Sequence, residues 1–592
     1  MKNREIAGLF DRIADALEIR AESGFKVVAY RKAARILQDL TEDIEDVARD
    51  GRLRTIPGIG SGLAEKIEEY LKTGRMAKTR EVMEGLPDGL LDLLEIQGLG
   101  GKTIRLVHEE LGVRGLDDLK RVVADGSLAA LKGMGEKKVE NIRRSIETRA
   151  RVAERISICE AAVVADEVIA HLGKAPGISR VSPAGSLRRM KETVGDIDIL
   201  ACGKNGAEII RYFVRNPNAV RVLAEGDTKG SVVVRAADTE RQVDLRIVAE
   251  AEYGAALLYF TGSKAHNIKL RGLAKQRGLK ISEYGVFRGA KRLASREEED
   301  CYRVLGMPWI PPEMREDTGE VELAMSGRLP RLVEPGDIRG DLHVHTLASD
   351  GNLSLPQVVG LARKMGYSYV AICDHSQAAH YAHGLAADRL RAEIGEIEAL
   401  NRTLRGFRVL AGSEVDILAD GSLDLSEELL ARLDFVVAAV HSGFKQNVTE
   451  RMVRALANPY VRTVAHPSGR LISGREGYEV DLDRVIAAAA ANGKALELNA
   501  YFDRLDLDEL HLKKAKEKGV KITIGTDTHS AGGLAMMRFG VGVARRAWLE
   551  KADILNCLGA EELLRRTRTG KAAEKGSARK KGGRRRTPPT LS

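Results

Sequence analysis

The chain has 592 residues, of which 44% are hydrophobic and 30% charged. That length exceeds what one hydrophobic core supports, so several domains are expected, and the apolar content excludes wholesale disorder. No apolar run approaches the roughly 18 residues that span a bilayer, which excludes membrane spans and predicts a cytoplasmic, nucleoid-associated protein. The first residues, MKNREIAGLFDRIADAL, read as a charged amphipathic helix rather than a signal peptide. Cys159, Cys202, Cys301, Cys373 and Cys557 are scattered and never form a CxxC pair, so neither disulfides nor a thiolate zinc site is expected. Much of the net charge of +9 lies in KAAEKGSARKKGGRRR, from Lys571 to Arg586, which reads as a basic tail able to add non-specific affinity for a polyanion.

Three segments share an apolar-x-Gly-apolar-Gly pattern that runs into a helix: IPGIGSGLAEKI from Ile56, IQGLGGKTIRLV from Ile96 and LKGMGEKKVENI from Leu131. A single copy reads equally well as an ordinary turn between helices. Repetition of Gly58 and Gly60, of Gly98 and Gly100, and of Gly133 and Gly135 at one offset points to a shared device. The helix that follows offers free N–H groups and its positive dipole end, which bind phosphate without reading a base. The pattern resembles the helix-hairpin-helix motif of DNA repair proteins and polymerases, which implies contact with the DNA backbone.

From Ser157 to about Val248 the pattern changes to a helix followed by apolar strands: DIDILAC, VVVRAA and RQVDLRIV. Asp196 and Asp198 stand two apart, hence on one face of a strand. Asp244 interrupts the apolar alternation of RQVDLRIV and is expected on the neighbouring strand. An isolated Asp-x-Asp is most often an exposed strand end. Three acids on one sheet face repel one another unless divalent cations neutralise them, and two such ions about 3.5–4 Å apart are the usual clamp for in-line phosphoryl transfer.

Gly185-Ser186 with Arg188 and Arg189, then Gly195-Asp196-Ile197-Asp198, then Asp244 with Arg246, is similar to the palm signature of the nucleotidyltransferases. Within that superfamily it resembles DNA polymerase beta and its family X relatives. The resemblance implies that Ser186, Arg189 and Gly195 hold a deoxynucleoside triphosphate. It also implies that Asp196 and Asp198 bind two Mg²⁺ or Mn²⁺ ions, and that Asp244 binds the catalytic ion and helps activate the primer 3′-hydroxyl.

Downstream, YFTGSKAHNIKLRGLAKQRGLKISEYGVF resembles the nucleotide-binding thumb of the same family. Tyr259, Phe260 and Gly262 would lie against the sugar, Asn267 and Arg271 would contact the incoming base and the template strand, and Arg246 would contact DNA. Lys264 departs from polymerase beta, which carries an acid there, and is expected to add a cationic contact to the nucleotide. The segments FKVVAYRKAA and LAEKI resemble the small lyase domain. Lys66 falls at the Schiff-base position, and Lys26, Tyr30 and Arg31 near a 5′-phosphate site. A lyase lysine must be neutral to attack. Gly62 stands where a second lysine is common, so a phosphate-contacting or plain surface lysine is the favoured reading of Lys66.

From Gly340 onward, seven apolar strand candidates alternate with helical stretches, and nearly every one ends in His, Asp or Glu. Strands alternating with helices imply a parallel sheet, and polar residues at strand C-terminal ends are where a β/α barrel builds its site. His343, His345, Asp350, His375, Glu414, His441, His466, Asp527 and His529 suit two or three Mn²⁺, Zn²⁺ or Fe²⁺ ions. This set resembles the PHP (polymerase and histidinol phosphatase) family, with every ligand position filled. The family implies a distorted seven-stranded β/α barrel. His380, His383 and His511 belong to no motif and are expected to be ordinary surface or supporting residues.

The fold class expected is therefore multidomain, with an α-helical helix-hairpin-helix N-terminal region, an α+β nucleotidyltransferase palm and thumb, and a C-terminal distorted (β/α)₇ barrel. Expected boundaries are 1–88 for a lyase-like domain, 89–150 for the remaining hairpins, 151–250 for the palm and 251–318 for the thumb. A linker over 319–338, the barrel over 339–570 and the tail over 571–592 complete the chain. The expected function is filling of short gaps in DNA repair of the base excision type, by a monomer acting on gapped or nicked duplex. The barrel is expected to trim 3′ ends as a 3′-to-5′ exonuclease, with abasic endonuclease or 3′-phosphatase activity next. The alternatives are a barrel that hydrolyses a small phosphorylated metabolite, and a non-enzymatic scaffold that binds DNA ends.

Overall fold

The computed structural model of the chain describes residues 2–567, apart from residues 41, 57, 97–98, 132–133, 136–137, 141, 144–154, 237–238 and 473. Gly98, Gly133 and the basic tail lie outside the described residues. The chain divides into two compact units, one of residues 1–155 with 237–242 and the other of 156–236 with 243–592.

The first unit is helical. Its longest helices, Lys2–Ile19, Gly24–Asp39 and Ser61–Thr73, carry apolar residues at three- and four-residue spacing. Ile6, Phe10, Ile13, Leu17, Leu37 and Ile67 from these stripes are buried together. The three glycine segments fold alike. In each, the apolar residue between the glycines is buried (Ile59, Leu99, Met134) and its N–H donates to the residue three before it, at 3.0 Å. In each, the second glycine accepts from the first turn of the helix behind it: Gly60 from Leu63, Gly100 from Thr103 and Gly135 from Lys138. Gly60 and Gly100 are extended N-cap residues, and Gly60, Gly100 and Gly135 are all exposed.

The second unit opens on a short antiparallel pair, β1 (Ile156–Ser157) with β3 (Thr193–Val194). Ser157 also caps the helix Ile158–Leu172 through a reciprocal capping box with Glu160. A five-stranded mixed sheet follows, built of β2 (Ile178–Pro183), β4 (Ile197–Gly203), β5 (Ala219–Glu225), β6 (Lys229–Ala236) and β7 (Thr239–Val248) in the order β2-β4-β7-β6-β5. β4 and β7 are parallel. Helices Tyr253–Thr261 and Lys264–Gln276 lead to an antiparallel meander of β8 (Lys280–Ser282), β9 (Gly285–Arg288) and β10 (Lys291–Ala294).

The Glu-, Gly- and Pro-rich stretch 319–338, which reads as a linker in sequence, is packed. It holds the helix Glu320–Met325 with Glu320, Val321 and Ala324 buried. Glu320 accepts from the N–H groups of Asp317 and Thr318 and from His266, whose other ring nitrogen meets Tyr302. Composition alone misses this, because the ordering comes from a buried polar network assembled from distant segments.

Seven parallel strands then run in sequence order: β11 (Gly340–Val344), β12 (Tyr369–Ile372), β13 (Arg408–Asp416), β14 (Phe435–Ala439), β15 (Val461–Val464), β16 (Ala495–Asn499) and β17 (Ile522–Gly525). A parallel bridge from Val344 to Thr528 brings the last strand's end to the first, so the expected seven-stranded barrel is nearly closed. All residues of β11, β12, β14, β16 and β17 are buried. Strands covered on both faces must be apolar runs, which is how they read in the sequence. No helix among the described residues is long and apolar enough to cross a membrane, and all five cysteines are buried and unpaired.

Candidate active sites

On the five-stranded sheet, Asp198 of β4 is the direct partner of Asp244 of β7. Asp196 stands exposed just before β4. Burial, then the charges of Asp196 and Asp244, push the Asp198 carboxyl up to about 7. Asp244 is answered by Lys229 at 3.2 Å and accepts from the Ser231 hydroxyl. Gly185 closes the site from above. Its φ is +57°, and a Cβ placed on it would come within 2.3 Å of Asp198 Oδ2, so only glycine allows this approach.

Ser186 lies in the one-turn helix Gly185–Arg188, and Arg189 follows it. The Arg189 guanidinium donates to the Thr261 carbonyl at 2.5 Å and to Glu316 at 3.0 Å. Arg188 reaches Thr261 and Glu298. Glu298 also takes two bonds from the fully buried Arg315. The loop after Gly185 is thereby tied to both ends of the thumb region.

Asn267 donates to the Tyr259 carbonyl at 2.7 Å, and Arg271 donates back to the Asn267 carbonyl at 3.3 Å. Tyr259, Asn267 and Arg271 line one shallow pocket with Leu258, Leu270 and Ile281. The Arg246 guanidinium lies 5.5 Å from the Phe260 ring centre, which joins β7 to the same helix. Lys264 is exposed, directly after Gly262 and the helix cap Ser263.

In the first unit, Lys66 is half-buried and its Nζ donates to the Gly62 carbonyl at 2.9 Å. Lys26 pairs with Glu22 at 2.8 Å, and Arg31 with Asp15 and Glu18. Tyr30 is a core residue, only 7% exposed, with its ring edge-on to Phe10.

The barrel gathers all nine expected residues at the C-terminal ends of its strands. Glu414 is the hub. Its carboxylate lies 2.9 Å from His466 Nε2, 3.1 Å from His375 Nδ1, 3.3 Å from His441 Nε2 and 3.5 Å from His343 Nε2. His345 Nε2 is 3.1 Å from Asp527, and His529 Nε2 is 3.2 Å from Asp350. Among the described residues, three overlapping groups have ligand atoms close enough for one ion each: His345, Asp350, His375 and His529; His343, His345 and Asp527; His375, Glu414 and His441.

Charge within this cluster is balanced internally. Burial would raise Glu414, yet His441, His343 and His375 hold it well below the carboxylate range. Burial would lower His441, yet Glu414 and Asp416 push it up to about 10. His375 goes the other way, down to about 4, because burial dominates there. The nitrogens Nδ1 of His345 and Nδ1 of His466 are buried with no hydrogen-bond partner. Nitrogen and oxygen donors crowded this closely, with such orphaned ring nitrogens, fit divalent cations that would take the place of protons.

Several supporting residues escaped the sequence reading. Glu497 of β16 binds His343 Nδ1 at 2.7 Å and accepts from the His466 N–H at 2.9 Å. Asn499 links Glu497 to Asp527. Asp416 meets His441 Nδ1 at 3.3 Å. A signal existed for two of these: Asp416 is two residues beyond Glu414 on one strand face, and Glu497 interrupts an apolar run. His511 instead meets Asp508, the N-cap of its own helix, at 2.8 Å and stays outside the cluster.

A nucleotidyltransferase-type sheet with paired aspartates, joined to a metal-ligating β/α barrel, defines the class. Family models match in four places: a helix-hairpin-helix domain over 1–76, a SAM-like helix-hairpin-helix tandem over 90–148, the DNA polymerase beta thumb over 256–316 and a PHP domain over 341–501. The chain is 40% identical over 568 residues to the DNA polymerase/3′-5′ exonuclease PolX of Bacillus subtilis, covering 95% of this chain and 99% of that one. It is 27% identical over 344 residues to DNA polymerase lambda of Rattus norvegicus, covering 53% and 56%. Over 228 residues it is 33% identical to a probable phosphatase of Acetivibrio thermocellus, covering 36% and 87%. The chain belongs to the family X DNA polymerases that carry a C-terminal PHP domain.

Proposed function

We propose that the chain is a DNA-directed DNA polymerase that fills short gaps in repair and removes nucleotides from 3′ ends with its barrel. The observation that carries this reading is two separate constellations on one chain, the aspartates of β4 and β7 and the cluster around Glu414, in a near full-length relative of a protein named for both activities. The substrates are gapped or nicked duplex and deoxynucleoside triphosphates. The chain acts as a monomer in the cytoplasm, at the nucleoid.

In synthesis, Asp196, Asp198 and Asp244 hold two Mg²⁺ or Mn²⁺ ions, which supply charge neutralisation at the transferring phosphorus. Ser186, Arg189 and the Gly195 backbone hold the triphosphate. Tyr259, Phe260 and Gly262 pack on the sugar, while Asn267 and Arg271 face the base pair. Lys264 adds a cationic contact to the nucleotide, and Lys264→Ala raises its KM. The exposed N-caps Gly60 and Gly100, and the exposed Gly135 of the third repeat, meet DNA phosphates through nearby backbone N–H groups, and Lys66 is a phosphate contact there rather than a lyase nucleophile.

In hydrolysis, the nine barrel residues would hold two or three Mn²⁺, Zn²⁺ or Fe²⁺ ions, which would supply Lewis-acid polarisation of a phosphodiester. Glu497 and Asp416 keep His343 and His441 oriented by binding their second ring nitrogens. The test is a 5′-labelled, one-nucleotide-gapped duplex incubated with Mn²⁺. Extension lost only in Asp198→Ala, and 3′ shortening lost only in His343→Ala, are the expected results. Loss of both activities in either folded variant overturns the two-site reading.

A further inference from the structure

One helix face of the barrel touches the polymerase site, beside pairs of Glu509 with Lys191 and of Arg470 with Glu192. Gly542 and Arg546 stand four residues apart on the helix Met537–Arg546, so both look in one direction. The Arg546 side chain is 2% exposed and donates to the Arg189 main-chain carbonyl at 2.7 Å. It also reaches Glu316 at 3.1 Å and pairs with Glu509. Glu316 is the carboxylate that binds the Arg189 guanidinium. Burial would raise its acid, but Lys191, Arg546 and Arg189 outweigh burial and hold it at about 2.

Arg546 therefore grips Arg189 twice, at its backbone directly and at its side chain through Glu316. Gly542 makes a second, independent contact. A Cβ there would come within 2.8–3.1 Å of Met190 Cγ, Sδ and Cβ, so the helix is flat where the residue after Arg189 rests. Met190 itself has φ +54°, a backbone conformation that needs support from its surroundings. One turn earlier on the same helix, Arg538 pairs with Asp166 of the helix Ile158–Leu172 at 2.9 Å and extends the same contact.

We propose that Arg546 of the barrel is a positioning residue for nucleotide binding in the polymerase site. It holds Arg189 at the depth and angle needed to meet a triphosphate, with Gly542 as the seat for Met190. This rests on the reading of Arg189 as a triphosphate contact. Two of the Arg189 nitrogens, Nε and Nη1, are occupied by Glu316 and Thr261. That leaves one face of the guanidinium for an anion, and its aim is set by these fixed partners. The barrel is then part of the polymerase site as well as a separate hydrolase.

The test uses the full-length protein and steady-state gap filling on a one-nucleotide gap, with KM for the nucleotide and kcat measured separately. In Arg546→Met the KM should rise about tenfold, as expected on losing a charge-assisted bond that aims a ligand-binding group, with kcat changed less than about twofold. Shortening of 3′ ends with Mn²⁺ should be unchanged in the same preparation, which also reports folding. Arg546→Lys, which keeps a cation and a donor, should recover most of the affinity.

Gly542→Val displaces Met190 without removing a charge and should raise KM in the same manner, so it carries the test if Arg546→Met does not fold. Unchanged KM in a folded variant, or a parallel fall in both activities, overturns the proposal. Arg189→Ala is the control for the underlying reading. If it too leaves KM unchanged, the triphosphate role of Arg189 is wrong and the proposal falls with it. If it raises KM while Arg546→Met and Gly542→Val do not, only the positioning role is wrong.

Discussion

Asp198 and Asp244 face each other as direct partners across the parallel pair β4 and β7. Two carboxylates held at the same height on adjacent strands cannot both ionise cheaply, and Asp198 is pushed up to about 7 by burial and by its neighbours. Asp198→Asn removes one of these charges with little change in shape. Nucleotide incorporation should fall by at least about 10²–10³-fold, the scale set by losing one preorganised electrostatic group. Hydrolysis of 3′ ends by the barrel should continue at the wild-type rate, and single-turnover extension beside an exonuclease assay measures both.

Gly185→Ala probes the approach of the loop to Asp198. The new methyl would sit within 2.3 Å of Oδ2 at a φ of +57°. The backbone strain is about 1 kcal/mol, small beside the displacement of the aspartate. Extension should drop by more than tenfold, in keeping with about 10²-fold for misplacing a catalytic group by an ångström. Thermal melting should shift by only a few degrees.

Glu497→Gln tests the support beneath the barrel ligands. Glu497 holds His343 Nδ1 at 2.7 Å, and loss of such an orienting carboxylate typically costs about 10–100-fold in metal affinity. Calorimetric titration of the stripped protein with Mn²⁺ should show that weakening. A chelator should abolish 3′ hydrolysis at lower concentration than in the wild type.

Glu393 supplies a pH signature through Asp374, the residue before the barrel ligand His375. Burial and the neighbouring Asp374 push its acid up to about 10, against an ordinary value of about 4.3. The folded state therefore holds a proton that the unfolded chain has released. This contribution to stability is complete below the unfolded value and is lost as pH rises through the folded one. The melting temperature should decline between pH 7 and 10, and Glu393→Gln should flatten that decline. Parallel pH profiles for the two proteins would refute the assignment.

Much of this molecule is legible without coordinates. The seven strands of the barrel read as apolar runs because parallel strands covered on both faces must be apolar. Their closing His, Asp and Glu residues stand out because nothing in a core asks for them. The three glycine repeats are legible for a similar reason, since each makes the same backbone turn and buries an apolar residue at the same position. The spacing of Asp196 and Asp198 marks a strand, and β4 begins between them, at Ile197, so that Asp196 stands just before it.

What the chain does with segments distant in sequence is a different matter. Glu497 and His343 are 154 residues apart, and Arg546 and Arg189 are 357 apart. No local period or propensity relates such pairs: His343 and Arg189 belong to recognisable motifs, whereas Glu497 and Arg546 taken alone are unremarked polar residues. Stretch 319–338 looks like a loose connector by composition, yet Glu320 and His266 draw it into a buried network. Local sequence determined the elements, the repeats and the ligand types, because backbone geometry and periodicity act over a few residues. Only the tertiary structure decided which carboxylate orients which histidine and which barrel residue steadies the polymerase loop, because those bonds exist only after the chain has closed on itself.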